Sequence, residues 1–361
     1  MQRRLKLNLT KLLVIVIAWL VISILTSIHD FLLLSSDMSK GYSGQFSFGT
    51  HLLFNISAAL IGSLMGGSFL VFYVNEKYRD RSYGFTITAV FLSFIVIVAF
   101  ITVLFGIIIA LMQTGKPFSD PETLQQIKHN IINPIHLKNI IVWSVVVALT
   151  QLLLSIDLKF GPSVLWKFIQ GKYHSPRQEK RIFMFLDLNS STSIAEKLGN
   201  EKYHQLLKDF FSDITNPVLD NRGEIYQYVG DEAIISWPYE YGIENAQCIR
   251  CYIDIRKRVE QNRQKYLDNY GLVPGFKAGI HFGTVIAGEI GVIKRDITFS
   301  GDVLNTTSRI QNMCKELQVD MLFSEDLAKQ LPAAYTTKSM GANKLRGKEK
   351  DIELVTLEPP L

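Results

Sequence analysis

Long apolar segments dominate the first part of the chain, and short alternating segments dominate the rest. The long segments run approximately over residues 12–34, 51–74, 85–112 and 140–156. Each approaches the ~20 residues with which a helix crosses a hydrocarbon layer of ~30 Å. The pattern therefore predicts a four-helix, all-α transmembrane domain at residues 1–156, in contact with a lipid bilayer.

The distribution of Lys and Arg predicts the orientation of these helices, because positive residues collect in cytoplasmic loops. Thirteen of them lie at the N-terminus, in the second connection and after the fourth segment, against four in the first and third connections. We therefore expect both termini to be cytoplasmic and the protein to reside in the cell (inner) membrane. A signal peptide would also begin with basic residues, but no small-residue cleavage site follows and three more segments do, which favours an anchor.

Some residues within the segments are unusual for a simple anchor. His29, Asp30 and His51 fall near predicted outer ends, where ionisable groups are often functional. We favour the simpler interpretation, that they contact water at the interface. Gly62 and Gly66 form a GxxxG motif, which allows another helix to approach closely. An unknown membrane or external ligand is compatible with these features.

Composition excludes several classes of protein. The net charge is +5, but the excess positive charge flanks the apolar segments, and no arginine-rich or aromatic-interleaved patch is present. We therefore expect no nucleic-acid partner. Three cysteines without framework spacing argue against a disulfide-stapled domain. Cys248 and Cys251 form a CxxC, yet they have helical spacing and lack a second pair, so we interpret them as helix-packing residues.

Residues 157–180 are predicted to couple the two halves of the chain. The pairs Gly161-Pro162 and Ser175-Pro176 would end the last membrane helix and stop a short amphipathic one, for which Ser163 supplies a cap. An apolar stripe with helical spacing lies between them, at Val164, Leu165, Phe168 and Ile169. Such a stripe suits contact with a partner chain or with the following domain.

Residues 181–361 have a different pattern, in which short strands alternate with helices. RIFMFLDL (181–188) is predicted to be a buried strand, and EIYQYVGDEAIISW (224–237) a hairpin that turns at Gly230-Asp231. Helices are expected over about 194–219 and 241–269. FKAGIHFGTVIAGEIG (276–291) is predicted to be two strands, with glycines where the backbone turns or approaches another element.

Two carboxylates stand at the tips of these predicted strands, Asp187 and Asp231. Magnesium prefers hard oxygen ligands and leaves positions for water and phosphate, and two-metal phosphoryl transfer needs such a pair. Each Asp alone is more commonly a cap or turn residue. Small hydroxyl residues then begin a helix whose first N–H groups can face an anion.

A second polar group lies in ITFSGDVLNTTSRIQNM (297–313). Asn305 and Arg309 are four residues apart and share one helix face. An amide can orient a sugar oxygen, and a guanidinium can neutralise a developing phosphate charge. Arg346 and Lys348 in LRGKEK can reach distal phosphates. For each motif alone, a solvated helix face or a charged surface turn is the simpler interpretation.

Taken in order, FLDLNSST, GEIYQYVGDE, GIHFGTVIAGEIG, SGDVLNTTSR and LRGKEK resemble the class III nucleotide cyclases, the adenylate and guanylate cyclase family. The resemblance covers about residues 180–357 and implies a membrane-bound bacterial type with a ferredoxin-like α+β catalytic domain. It further implies a homodimer, two Mg²⁺ or Mn²⁺ ions in each interfacial site, and attack of the ribose 3′-oxygen on the α-phosphate with release of pyrophosphate.

The resemblance also implies a role for each matching residue. One subunit would hold metal through Asp187, Asp231 and the backbone carbonyl of Leu188. The other would supply the catalytic pair Asn305 and Arg309 and the base-binding pair Gln227 and Thr298. The triphosphate would be bound by Arg346, Lys348, Ser190, Ser191 and Thr192.

The base-binding pair departs from the usual family pattern. Gln227 stands where many adenylate cyclases have Lys, and Thr298 where Asp is common. A Gln amide can donate to adenine N1 and accept from the exocyclic amine. With the positions of its oxygen and nitrogen exchanged, the same amide could also bind guanine. Guanine readers usually carry an acidic residue at the first position, so the sequence favours ATP, with GTP as the alternative.

Two rival interpretations remain. VGDEA is similar to the GGDEF motif of diguanylate cyclases, but Val229 and Ala233 replace two of its residues and the Asn305/Arg309 helix belongs to the other family. A catalytically silent membrane receptor that uses the domain only to dimerise would be expected to have lost one of the four polar site residues.

Overall fold

The computed structural model describes residues 2–36, 48–74, 77–78, 81–131, 134–160, 170–293, 295–332, 335–348 and 350–358. The chain divides into two compact units, Leu5–Pro162, and Ser163–Leu361 together with Met1–Arg4. The predicted cap and apolar stripe of the coupling segment, at residues 163–169, lie outside the described residues.

The first unit is all helical. Its helices are α1 (Gln2–Ser36), α2 (Phe48–Ser68, continued by a π-helical turn at Phe69–Val74), α3 (Tyr83–Thr114), α4 (Pro121–Ile131) and α5 (Pro134–Phe160). Four stretches are long and apolar enough to cross a membrane: Arg3–Leu32, Phe48–Val74, Gly84–Thr114 and Lys138–Asp157. They overlap the four predicted segments, and the largest difference is that the first begins nine residues earlier than predicted. The sequence reading missed α4, because it is short and polar.

Aromatic packing organises the interior of this unit. Trp19 on α1 lies edge-on to Phe94 on α3, with ring centroids 6.0 Å apart, and donates from Nε1 to Thr150 Oγ1 over 3.1 Å. A Cβ added to Gly66 would lie 2.5 Å from the Phe94 ring, so no larger residue fits there without a shift. The predicted close approach at Gly66 is therefore confirmed, and the approaching side chain belongs to the same chain.

The ionisable residues of the segments form one cluster. Asp30 is only 6% exposed and pairs with Lys138 of α5, while His51 Nε2 lies 3.4 Å from Asp30 Oδ2 and His29 Nδ1 lies 3.5 Å from Oδ1. His29 is exposed, as expected of an interfacial residue. The interpretation of Asp30 as a water-contacting residue is wrong, because its carboxylate is buried against a lysine.

The second unit contains eight strands and seven α-helices among its described residues. They are β1 (Arg177–Leu188), α6 (Ser191–Leu198), α7 (Asn200–Asp220), β2 (Glu224–Val229), β3 (Glu232–Pro238), α8 (Tyr239–Ile243), α9 (Gln247–Gln261), α10 (Arg263–Tyr270), β4 (Phe276–Ile290), β5 (Asp296–Ser300), α11 (Asp302–Glu316), β6 (Met321–Ser324), α12 (Glu325–Ala328), β7 (Thr337–Asn343) and β8 (Ile352–Leu357).

These strands form one mixed sheet in the order β2-β3-β1-β4-β6-β8-β7, with β5 paired to β4. The first four strands and helices α7 and α9 give the expected ferredoxin-like βαββαβ arrangement. Alternate residues of β1 serve opposite faces of the sheet. Ile182, Met184 and Leu186 pack with α7 and α9 in the main core, whereas Phe183 and Phe185 pack with Val303 of α11.

Three predicted elements differ from the observed ones. The helix expected over 194–219 breaks at Gly199, whose φ of 78° does not suit a continuing helix. The helix expected over 241–269 is interrupted by Asn245 and Ala246, both at positive φ, and again after Gln261. The two strands expected over 276–291 are one strand, β4, because its glycines permit close packing instead of turning the chain.

Gly279 shows why β4 needs glycine. A Cβ at this position would lie 2.3 Å from the backbone nitrogen of Gln311, so helix α11 packs directly on the strand.

All three cysteines are buried free thiols, and burial raises the pKa of Cys248 to about 12. The helix-packing interpretation of the CxxC motif is therefore confirmed.

Candidate active site

Asp187 lies at the end of the central strand β1, where both neighbouring strands contribute polar residues. It is paired in register with Glu232 of β3 on one side and with Lys277 of β4 on the other. Lys277 Nζ lies 3.4 Å from Asp187 Oδ2. The side chain of Asp187 lies on the face of β1 that packs against α11. The carboxylate is therefore at the surface of the sheet and not in the main core.

The hairpin brings Asp231 next to this carboxylate. Gly230 has a φ of 63°, a left-handed conformation that glycine adopts without steric cost, and the turn it makes places Asp231 directly before β3. Burial, with the nearby Asp231 carboxylate, raises the pKa of Asp187. The two predicted carboxylates therefore share one site, and their mutual repulsion favours a bound cation or proton.

Glu232 is a third acidic residue at the site, which the sequence reading overlooked. Burial, followed by the charges of Asp187 and Asp231, raises its pKa to about 7. Its position immediately after Asp231 was the available signal, but its burial depends on the packing of β3 beside β1.

Lys277 and Gln311 were also missed. Both contact Asp187 Oδ2: Lys277 as an ion pair, and Gln311 by donating from Nε2 over 3.1 Å. These two partners hold the carboxylate in one orientation. No local motif identifies them, because Lys277 reaches Asp187 through strand register and Gln311 through the packing of α11.

The hydroxyl residues follow Asp187 at the turn into α6. Ser190 has a φ of 55° and ends the turn, and Ser191 and Thr192 occupy the first helical positions. Leu188, whose carbonyl was expected to contact metal, is the last residue of β1. These residues adjoin Asp187 along the chain.

Asn305 and Arg309 lie on α11, where Asn305 is exposed and Arg309 half-buried. The LRGKEK turn packs against this helix: an ideal Cβ on Gly347 would lie 3.4 Å from Arg309 Nη2, and Lys348 forms an ion pair with Asp302 at the start of α11. The pKa of Asp302 is lowered mainly because its carboxylate accepts a hydrogen bond from the Lys348 ammonium. Arg346 is exposed in the same turn.

The Asn305/Arg309 face turns away from the carboxylates of its own chain. Gln311 of the same helix points at Asp187. Successive residues of an α-helix are rotated by ~100° about its axis, so Arg309 is rotated by about 160° from Gln311, and Asn305 by about 120°. Within one chain, the carboxylate pair and the Asn305/Arg309 pair therefore do not converge.

Gln227 and Thr298 lie on different strands, β2 and β5. Gln227 is exposed, and Thr298 donates from Oγ1 to the Gly288 carbonyl over 3.5 Å. The residues beside them in sequence are in direct contact, since the rings of Tyr226 and Phe299 have centroids 5.0 Å apart. The structure thus links the two strands that carry the predicted base-binding pair.

Comparison with known proteins identifies related sequences and structures. A family model described as the adenylate and guanylate cyclase catalytic domain matches residues 174–358. Adenylate cyclase 2 of Rhizobium meliloti (strain 1021) is 38% identical over 199 residues, which are 55% of this chain and 55% of that protein. Adenylate cyclase 1 of the same strain is 27% identical over 176 residues, covering 47% of this chain and 26% of that protein.

A solved structure of a bacterial light-regulated adenylyl cyclase matches with a TM-score of 0.53 and 24% identity, over 61% of this chain and 64% of that chain. This likeness concerns the fold. The chain spans 55% and 26% of the lengths of the two Rhizobium proteins. Since the family match covers more than half of the residues, including every predicted polar site residue, the chain belongs to the class III adenylate and guanylate cyclase family.

Proposed function

We propose that this protein is a membrane-anchored adenylate cyclase that converts ATP to 3′,5′-cyclic AMP and pyrophosphate. The observation that carries the proposal is the convergence of Asp187 and Asp231 at the end of β1, in a chain that retains Asn305 and Arg309 on α11. Adenylate cyclase 2 of Rhizobium meliloti, at 38% identity, supports the choice of reaction.

The donor set fits two Mg²⁺ or Mn²⁺ ions held by Asp187, Asp231 and the Leu188 carbonyl. Burial, followed by the charges of the neighbouring carboxylates, raises the pKa of Asp187 and of Glu232, and a divalent cation would relieve the repulsion among these groups. Magnesium is usually bound by one or two carboxylates with water and substrate phosphates, and Asp187 and Asp231 would supply such carboxylates. When bound, the ions supply charge neutralisation of the triphosphate and acidify the attacking hydroxyl.

The other residues would bind and orient the nucleotide. The first amides of α6, with Ser190, Ser191 and Thr192, would contact phosphate oxygens, and Arg346 and Lys348 would bind the distal phosphates. Asn305 would orient the ribose, and Arg309 would stabilise negative charge on the α-phosphate as the 3′-oxygen forms its new bond and pyrophosphate leaves.

We further propose that the active enzyme is a homodimer with two shared sites. The support is the geometry of α11: Gln311 points at its own Asp187, while Asn305 and Arg309 face about the opposite way. A second copy related by a two-fold axis would meet that face with its own carboxylates, so each site would draw on both chains.

The membrane arrangement completes the proposal. Residues 1–156 would anchor the chain in the cell (inner) membrane with both termini in the cytoplasm, and residues 157–180 would couple this domain to the catalytic domain at 181–361. Four helices of sufficient length and apolarity support the anchoring. The membrane helices would contribute to dimerisation and could relay binding of an unknown membrane or external ligand.

Guanylate cyclase activity is the second candidate, because a Gln amide at position 227 suits either base. The test is side-by-side turnover of ATP and GTP by the purified full-length dimer with Mg²⁺ or Mn²⁺, with products identified by mass spectrometry. We expect cyclic AMP as the main product and no activity from Asp231→Ala. A folded dimer that forms no cyclic nucleotide would contradict the enzyme proposal and favour the silent receptor. A cyclic dinucleotide would contradict the family-based reaction.

A further inference from the structure

Strand β2 contains a bulge immediately before Gln227. Ile225 is opposite Ile235 of β3, but Gln227 is opposite Ile234, so Tyr226 is an extra residue on β2. Bulges of this kind re-aim neighbouring side chains and are common next to active sites. The position of the bulge therefore has a direct effect on Gln227.

The bulge changes the face on which Gln227 lies. In regular pairing, Gln227 would be opposite Ala233, which belongs to the main core under α7 and α9. In the observed register it is opposite Ile234, which packs with Phe183 and Val285 on the other face. Because paired residues of a sheet project to the same face, Tyr226 is what allows Gln227 to leave the core side.

The side chain of Tyr226 connects this bulge to β5. Its ring packs against Phe299, and its hydroxyl oxygen accepts a hydrogen bond from the backbone N–H of Phe299 over 3.4 Å. That amide belongs to the peptide bond between Thr298 and Phe299. One tyrosine thus lies next to Gln227 in sequence and holds the peptide that follows Thr298, although β2 and β5 do not pair with each other.

The partner of Tyr226 is itself held firmly. The Phe299 ring lies 5.7 Å from the Phe183 ring and 4.5 Å from the guanidinium carbon of Arg181. Arg181 is 1% exposed and donates to Glu224 Oε2 over 2.8 Å and to Ser236 Oγ over 3.0 Å. Since Glu224 is the first residue of β2, the start of β2 and the end of β5 are anchored to the same buried cation.

We propose that Tyr226 is a positioning residue for base selection, which sets the separation and orientation of Gln227 relative to Thr298. This inference rests on the proposed cyclase function, in which those two side chains read the base. The hydroxyl of Tyr226 adds a hydrogen bond between β2 and β5 to the ring contact with Phe299, so its removal should loosen base discrimination more than it affects the chemistry at Asp187 and Asp231.

The test compares Tyr226→Phe with wild type in the full-length protein. This change keeps the ring against Phe299 and removes only the hydroxyl. We expect the ratio of kcat/KM for ATP to that for GTP to move toward unity by about 3- to 10-fold, the range for one lost hydrogen bond. KM for the preferred nucleotide should rise while its kcat changes less. Tyr239→Phe is the matched control, since its hydroxyl donates to Gln330 on an exposed surface.

An altered ratio with a melting temperature close to that of Tyr239→Phe supports the inference. An active wild type whose ratio is unchanged by Tyr226→Phe contradicts it, whatever happens to the melting temperature. A wild type that turns over neither nucleotide contradicts the proposed function, and the inference falls with it. The two failures are therefore distinguishable.

Discussion

Gln311 donates from Nε2 to Asp187 Oδ2 over 3.1 Å, although 124 residues separate the two in the chain. Gln311 is 2% exposed, and its backbone lies on the β4 glycine Gly279, so its side chain has little freedom to choose another partner. Lys277 contacts the same oxygen at 3.4 Å. The orientation of this carboxylate thus depends on α11 and β4 as well as on its own strand.

Replacing Gln311 by Leu should reduce cyclase activity by about 10- to 100-fold, the usual effect of removing a residue that orients a metal ligand. The reason is that Asp187 keeps its charge but loses a neutral donor. Kinetics over a range of Mg²⁺ concentrations should show weaker apparent metal affinity. Asn312→Ala, on the exposed side of the same helix, is the control. Equal activity of the two variants would show that Lys277 alone positions the carboxylate.

The shared-site geometry predicts complementation between inactive chains. Asp231→Ala and Arg309→Ala should each abolish activity alone, yet their mixed dimer contains one intact site. Co-expression with two different affinity tags should recover about a quarter of the wild-type activity, if half of the dimers are mixed and each has one of two sites. The absence of any recovery in the doubly tagged fraction would contradict a site built from two chains.

His281 predicts how stability depends on pH. Its Nδ1 lies 2.8 Å from Ser324 Oγ, and burial lowers the pKa of His281 to about 4. The charged groups that affect it are Asp326, Lys348 and Asp302. Between pH 6.5 and about 4 the unfolded chain binds a proton here that the folded chain does not, so the free energy of unfolding falls as pH falls. Its contribution is fully present above pH 6.5.

Thermal unfolding between pH 7 and 4 tests this relationship. We expect the free energy of unfolding of His281→Asn to decline less steeply with falling pH than that of wild type, by at most about 1.4 kcal/mol per pH unit, and its melting temperature to decline less as well. His204→Gln, at an exposed position on α7, should follow the wild-type curve. Parallel curves for wild type and His281→Asn would contradict the assignment of a half-buried, neutral histidine.

The ion pair between buried Asp30 and partly exposed Lys138 in the first unit predicts a stability effect of a different kind. Asp30→Asn leaves the Lys138 ammonium without its carboxylate and should destabilise this unit by about 1–3 kcal/mol, whereas Asp30→Asn with Lys138→Met should recover much of the loss. Unfolding in detergent provides the measurement. Glu122→Gln, which breaks the exposed pair with Lys116, should change little. A double variant no more stable than Asp30→Asn would contradict this account.

The strand that presents Asp187 could be predicted because burial requires an unbroken apolar run, and the hairpin at Gly230 because a glycine is needed at the turn. The break at Gly199 and the single long strand β4 could not be predicted in the same way. Glycine permits a turn, a helix break or a close contact, and at Gly279 only the presence of α11 decides in favour of a close contact.

By itself, the sequence determined the four apolar helices, the alternation of strands and helices that follows them, and the motifs that carry the candidate carboxylates Asp187 and Asp231. These depend on periodicity and local backbone preference, which act over a few residues. Only the tertiary structure decided that Lys277 and Gln311 hold Asp187, that Asn305 and Arg309 face away from it, and that Tyr226 brings Gln227 to the face of Phe299. Those relationships depend on strand register and helix rotation, which arise when distant segments pack together.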